Sequence, residues 1–339
     1  MKAVVVHPEL PGAALRPTAL RDAEIELPSC GPRELRIQVA AVSVNPIDLK
    51  MARAKAPADG QPRVLGWDAA GVVDVTGSEV TNFRVGDRVY YAGSVMRPGC
   101  FSEFHTVDER LVAHAPQTLS SMEAAALPLS SLAAWEALFE RMRIRQEAGG
   151  ARAETLLVVG GAGGVGSMAI QLAAQLTDLH VVATASRAES RSHCLAMGAH
   201  AVIDHTAPLP AQLKALGRAQ VEYVLCLAEP SAIWTDLATL LAPFGQLCAL
   251  VEAAAPLDMN LLRSKSLGFS WEGMFTRSIF KTADMAEQQS ILRQVAQAID
   301  AGILKTTLTQ HLGPVDAQHL MQAHALLATQ RVVGKIALG

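Results

Sequence analysis

The clearest chemical signal in this 339-residue chain is Val158-Val159-Gly160-Gly161-Ala162-Gly163-Gly164-Val165-Gly166. It holds a GxGxxG pattern with glycines at 161, 163 and 166. An apolar run precedes it and a helical pattern follows, which is the context a dinucleotide-binding turn requires. Gly161 permits a tight turn, Gly163 lets backbone approach a pyrophosphate, and Gly166 lets the helix pack close to the strand. The N–H groups from Ala162 through Gly164 and Val165, with the helix dipole behind them, favour a phosphate's negative charge. The alternative is a glycine-rich loop that binds nothing.

The end of the next apolar run bears on which nicotinamide cofactor fits. An NAD site places Asp or Glu there, to bond the ribose 2′-hydroxyl. Here the residues are Thr184-Ala185-Ser186-Arg187. No acid is present, and Ser186 with the guanidinium of Arg187 suits a 2′-phosphate. That favours NADPH, unless Arg187 is only a surface residue opening the next helix. His205, after the third run, either flanks the adenosine phosphate or is a surface histidine.

These residues need elements to position them. From Ser120-Ser121-Met122-Glu123, a helix-start signature, strands alternate with Ala-rich helices as far as about residue 280. Candidate strands are Thr155–Val159, His180–Thr184, Ala201–Ile203, Val221–Cys226 and Gln246–Leu250. The first intervening helix ends near Leu176, with Val165, Ala169, Leu172 and Leu176 facing the sheet. This is an α/β pattern: an open parallel sheet covered on both faces. Residues 1 to about 122 read instead as β-rich and antiparallel, with Leu35, Ile37 and Val39 alternating on one strand and Gly66, Gly71, Gly77 and Gly86 marking turns. A helix after Asp284, a strand near Lys305–Leu308, a helix over Asp316–Thr329 and a strand over Gly334–Leu338 close the chain. The charged Arg141–Glu154 stretch, with Gly149-Gly150, reads as a solvated connection.

Composition narrows the function. The chain has 32 acidic and 29 basic residues, a formal charge of −3, and 4% aromatics. Neither nucleic acid nor an anionic membrane finds an electrostatic partner there. Thr155 to Thr177 is uncharged and about long enough to span a bilayer. Its central glycines fit a strand, turn and helix better. The run after Met1 is too short for a signal peptide. Five scattered cysteines, with no CxxC pair, suit a reduced cytoplasmic protein.

Several motifs together carry a resemblance. Val44-Asn45-Pro46-Ile47-Asp48 looks like a VNPxD motif. Leu65-Gly66-Trp67-Asp68-Ala69-Ala70-Gly71-Val72-Val73, with Val85-Gly86-Asp87-Arg88-Val89, looks like LGxDxxGxV…GDxV. Ala124-Ala125-Ala126-Leu127-Pro128 with Gly160–Gly166 resembles an AAALP…GGAGGVG pairing. In this order they resemble the medium-chain dehydrogenase/reductase superfamily, quinone oxidoreductase branch. Lys265-Ser266-Leu267 and Trp271–Ser278 resemble its "zinc-type alcohol dehydrogenase-like" subgroup. The resemblance implies a GroES-like catalytic domain from both chain ends, residues 1–122 and 280–339. A Rossmann NADP-binding domain over 123–279 would lie between them, with a cleft between the domains. It also implies a homodimer, with Gly268–Trp271 the candidate edge strand.

The ligands implied by the subgroup label are absent from their positions. Ser43-Val44 stands where zinc-dependent relatives place an early Cys, Trp67 where they have His, and Leu129-Ser130 where a later ligand falls. Only Cys100 lies in the lobe that would hold a structural zinc, and His319 and His324 are wrongly spaced on their helix to ligate together. No metal is therefore expected. Hydride delivery to a quinone or enone needs hydrogen-bond donors for the oxygen that gains charge. The resemblance makes Asn45 the leading donor, against a turn-forming Asn before Pro46. Lys50, where relatives often have Tyr, is either a proton donor or solvent-exposed. Trp67 is either a pocket wall or core. Tyr90 and Tyr91 alternate, so at most one faces a cleft. Ala133 replaces a common Thr near the nicotinamide. The expected activity is zinc-independent reduction of a quinone or similar conjugated carbonyl. The alternatives are an alkenal or enone reductase, or a nonenzymatic NADPH-binding protein.

Overall fold

The computed structural model describes residues 1–6, 20–53, 62–147, 150 and 154–339. His7–Glu9 and part of the Arg141–Glu154 connection lie outside them. The chain forms two compact units, Met1–Leu129 with Phe275–Gly339, and Ser130–Met274. The seams fall at 129/130 and 274/275, against 122/123 from the helix-start signature at Ser120 and 279/280 from the end of the strand–helix alternation. That signature is a true cap: Ser120 and Glu123 satisfy each other's backbone N–H groups. The short helix it starts, Ser121–Ala125, still packs on the first unit's strands.

In the first unit, β1 (Lys2–Val6) pairs antiparallel with β2 (Leu20–Glu24). The long β3 (Glu34–Ser43) pairs with neighbours further along the chain. A two-residue β4 (Arg63–Val64) joins β1. β5 (Ala69–Thr76), β6 (Arg88–Tyr91), β7 (Phe104–Asp108) and β8 (Val112–His114) complete the antiparallel pattern around β3. The expected alternation holds, with Leu35 and Ile37 fully buried. Gly71 is required by β3: a Cβ there would lie 2.2 Å from the Gln38 carbonyl oxygen.

The second unit is the parallel sheet. Its strands are β9 (Thr155–Val159), β10 (His180–Thr184), β11 (Ala201–Ile203), β12 (Val221–Cys226), β13 (Leu241–Ala249) and β14 (Gly268–Trp271). Their spatial order is β11-β10-β9-β12-β13-β14, all parallel. The strand order reverses between β10-β9 and β9-β12, which is the switch point of a doubly wound nucleotide fold. Leu157, Val159, Val182, Val224 and Leu247 bury one core against flanking helices. Arg141 departs from the solvated reading. Its Nε donates to Glu272 Oε2 at 2.8 Å, and Glu272 and Glu136 are both buried. Burial and the neighbouring Glu136 push the Glu272 carboxyl up to about 8.

The chain then returns to the first unit. β15 (Leu308–His311) runs beside β16 (Lys335–Leu338), and β16 closes antiparallel on β3. Among the described residues, no helix is long and apolar enough to cross a membrane.

Candidate functional site

The glycine turn sits at the carboxyl end of β9. Gly160, not Gly161, takes the left-handed conformation, with φ +84°. The tight-turn role expected of Gly161 therefore moves one residue earlier. Gly161 is glycine for packing, because a Cβ would lie 2.8 Å from the Ala183 Cβ. Gly166 fits its expected role more closely: its Cβ would meet the Gly161 and Gly160 carbonyl oxygens at 2.5 and 2.6 Å. Gly163 has nothing within 4 Å of where its Cβ would be. It caps the helix Gly164–Leu176, whose first-turn N–H groups lack intrahelical partners by geometry. Two bonds to Thr184 on β10 anchor the turn, from Gly160 N to Oγ1 at 3.0 Å and from Gly161 N to the carbonyl at 3.2 Å. Ser167 Oγ donates to the Gly163 carbonyl at 2.8 Å and lies 2.7 Å from His193 Nε2.

Ser186 and Arg187 follow β10 as half-buried residues, and Arg187 opens the helix Ala188–Ala196. The Arg187 guanidinium lies 4.0 Å from Glu189 on that helix. Arg191, one turn on, was not singled out from sequence. It donates to the Ala185 carbonyl at 3.2 Å and the Val202 carbonyl at 2.8 Å, tying the end of β10 to β11. Its four-residue spacing from Arg187 was the available signal. His205 is exposed, in a turn where Asp204 Oδ1 accepts from Thr206 N at 2.8 Å.

The first unit holds a buried polar cluster. Asn45 Nδ2 donates to Asp68 Oδ2 at 2.9 Å and to the Ser43 carbonyl at 3.4 Å. Lys335 Nζ donates to Asn45 Oδ1 at 2.5 Å, Asp68 Oδ2 at 2.7 Å and the Val44 carbonyl at 3.1 Å. Asp68 Oδ1 accepts from Leu129 N at 2.8 Å. Asn45 N donates to Asp48 Oδ2 at 2.7 Å, while Asp48 Oδ1 is buried without a hydrogen-bond partner. Burial pushes the Asp48 carboxyl up to about 8, against the pull of the Asn45 N–H and Lys335. Burial also raises Asp68, with Lys335 opposing it. The Asn45 amide is thus spent inside the core, which corrects its reading as a free donor. The side chains that hold its amide, Asp68 and Lys335, lie 23 and 290 residues along the chain, beyond what its sequence neighbours show.

Trp67 resolves as core. It is 1% exposed, donates Nε1–H to the Ser94 carbonyl at 3.0 Å, and meets Phe275 edge-on. Tyr90 and Tyr91 are both fully buried. Tyr90 bonds the Leu292 carbonyl, and Tyr91 lies 3.0 Å from His105 Nδ1. Lys50 is exposed on the helix Pro46–Ala52. Ala133 is buried in the helix Pro128–Trp135.

Comparison with known proteins bears on both units. Residues 31–117 match the alcohol dehydrogenase GroES-like domain, and residues 197–338 match a zinc-binding dehydrogenase model. Over 313 residues the chain is 35% identical to the zinc-type alcohol dehydrogenase-like protein of Staphylococcus epidermidis, covering 92% of each. The chain belongs to the medium-chain dehydrogenase/reductase superfamily.

Other members of the superfamily give it context. The chain is 30% identical to a quinone oxidoreductase of Pseudomonas aeruginosa over 314 residues, 91% of each. A Rhizobium etli structure, a candidate zinc-dependent alcohol dehydrogenase, is 44% identical with TM-score 0.93, covering 100% of this chain and 97% of that one. A mycobacterial structure complexed with NADPH is 26% identical with TM-score 0.83, covering 100% and 99%. The superfamily's zinc must be tested against the side chains present. Among the described residues, no three His, Cys, Asp or Glu side chains are grouped to hold a metal. Ser43 Oγ is committed to the Ile336 carbonyl at 2.8 Å, and Trp67 brings no ligand atom. Lys335 brings a positive charge against Asp68, which a cation there would oppose. This donor set does not fit a catalytic zinc.

Proposed function

We propose that this medium-chain reductase uses NADPH to reduce a quinone or similar conjugated carbonyl, without a catalytic metal. The observation that carries the reading is the turn at β9: an open Gly163 at a helix start, with Ser186 and Arg187 and no acid over Thr184–Arg187 at the end of β10. Bound there, NADPH would supply the hydride. The helix start would hold the pyrophosphate, while Ser186 and Arg187 would hold the 2′-phosphate, with His205 beside it. The Pseudomonas quinone oxidoreductase and the NADPH-bound mycobacterial structure support acceptor and cofactor respectively. The reading extends to a cytoplasmic homodimer joined at β14, the edge of the parallel sheet.

A second reading rests on the inward commitment of Asn45 and Trp67. With both in the core, Asn45 supplies no hydrogen-bond donor to a substrate and Trp67 no pocket wall. That favours an NADPH-binding protein without turnover. Steady-state NADPH oxidation with a panel of quinones, enones and aldehydes separates the readings. Turnover of quinones supports the first. Tight NADPH binding without turnover of any acceptor overturns it.

A further inference from the structure

At the carboxyl end of the parallel sheet, the loops after β12 and β13 are fastened together by one side chain. Glu229 Oε1 accepts from Ser231 N at 2.8 Å, from Ser231 Oγ, and from Ala254 N at 2.9 Å. Ser231 Oγ in turn accepts from Ala255 N at 3.2 Å. Ala254 lies 25 residues from Glu229, so this is a bond between loops. These donors hold the Glu229 carboxyl down at about 2. It therefore stays ionised, and accepting, throughout the neutral range.

The fastened loops join the glycine turn through backbone. Leu227 N donates to the Val159 carbonyl at 3.0 Å, and Leu250 N to the Cys226 carbonyl at 3.2 Å. A Cβ on Gly160 would lie 3.4 Å from the Leu227 Cβ. One continuous ledge therefore runs from the turn across β12 to β13. Ser186 and Arg187 lie on the opposite side of β9, after β10. A dinucleotide with its pyrophosphate at the turn and its 2′-phosphate near Arg187 must send its other half the opposite way, over this ledge.

We infer that Glu229 is a positioning residue: with Ser231 it fixes the ledge that receives the nicotinamide half of the cofactor. This rests on the NADPH reading above. Glu229 holds the backbone of Ala254 directly and that of Ala255 through Ser231 Oγ, and both residues lie in an exposed loop with no strand or helix to hold them. The charge-assisted bond that Glu229 Oε1 accepts from Ala254 N, backed by the bond that Ser231 Oγ accepts from Ala255 N, is a strong restraint on such a segment.

The test compares NADPH with adenosine 2′,5′-bisphosphate, which carries the 2′-phosphate and the adenosine 5′-phosphate but neither the second phosphate nor the nicotinamide. Both are titrated against the full chain and its E229A, E229Q and S231A variants. E229A is expected to weaken NADPH about tenfold and the bisphosphate by less than about twofold. S231A should follow in the same direction, and E229Q, which keeps an acceptor oxygen, should recover most of the loss. Equal binding of NADPH by wild type and E229A overturns the inference, as does an equal loss for both ligands. Failure of the wild-type chain to bind either ligand would instead overturn the NADPH reading itself.

Discussion

Lys335 and Asp68, 267 residues apart in sequence, form a buried ion pair with a 2.7 Å contact. The pair joins the last strand to the segment before β5 and, through Asn45, to the end of β3. Two buried charges of opposite sign are costly to desolvate and costlier to separate. Lys335→Met is expected to destabilise the chain by about 3–5 kcal/mol, because it leaves Asp68 without its cation. Adding Asp68→Asn should return a large part of that loss. Urea unfolding of the single and double variants checks both expectations.

The glycine turn separates folding from binding. Gly166→Ala places a Cβ 2.5 Å from a carbonyl oxygen, so it should lower the melting temperature and weaken NADPH together. Gly163→Ala meets no protein atom within 4 Å. Its melting temperature should stay near wild type, while NADPH binding falls by about tenfold or more as the Cβ crowds the pyrophosphate. Thermal melts with and without NADPH read both effects.

The proposed preference for NADPH rests on Arg187. Arg187→Ala is expected to weaken NADPH by about 1.5–3 kcal/mol, the range for a lost charged hydrogen bond. NADH binding should barely change. Equal losses in parallel titrations of the two cofactors would contradict the 2′-phosphate role.

Asp48 makes stability depend on pH. Its carboxyl titrates near 8 when folded, against 3.8 for the unperturbed group. Between those values the unfolded chain has released a proton that the folded chain keeps. Rising pH therefore favours unfolding across that window, and the loss levels off once the folded carboxyl also ionises. Asp48→Asn keeps an acceptor for Asn45 N and removes the titration. Its stability should decline less than that of wild type from pH 4 to pH 8 in denaturant melts.

The parallel sheet was legible to the residue over β9–β12, because each apolar run is bounded by turns and followed by a helical pattern. Over β13 the apolar run predicts only Gln246–Leu250, against an observed Leu241–Ala249. Pro243, Phe244 and Gly245 look like a turn, and Phe244 does adopt φ +66°, yet the strand starts at Leu241 through an irregular register. β15 was placed too early, near Lys305, since Thr309, Gln310 and His311 are exposed and show no apolar alternation. The site was half legible. The glycine turn is local and announced itself. The cluster of Asn45, Asp48, Asp68 and Lys335 is assembled from three distant segments, and no window of sequence contains it. Its nearest signal was a lysine in the apolar run Val332-Val333-Gly334-Lys335-Ile336-Ala337-Leu338.

The central claim is hydride transfer from NADPH to a conjugated carbonyl without a metal. The most direct measurement is the rate of NADPH oxidation by a simple quinone, before and after exhaustive treatment with a chelator. The expected result is turnover that prefers NADPH to NADH and is unchanged by the chelator. Turnover abolished by the chelator and restored by zinc would contradict the claim.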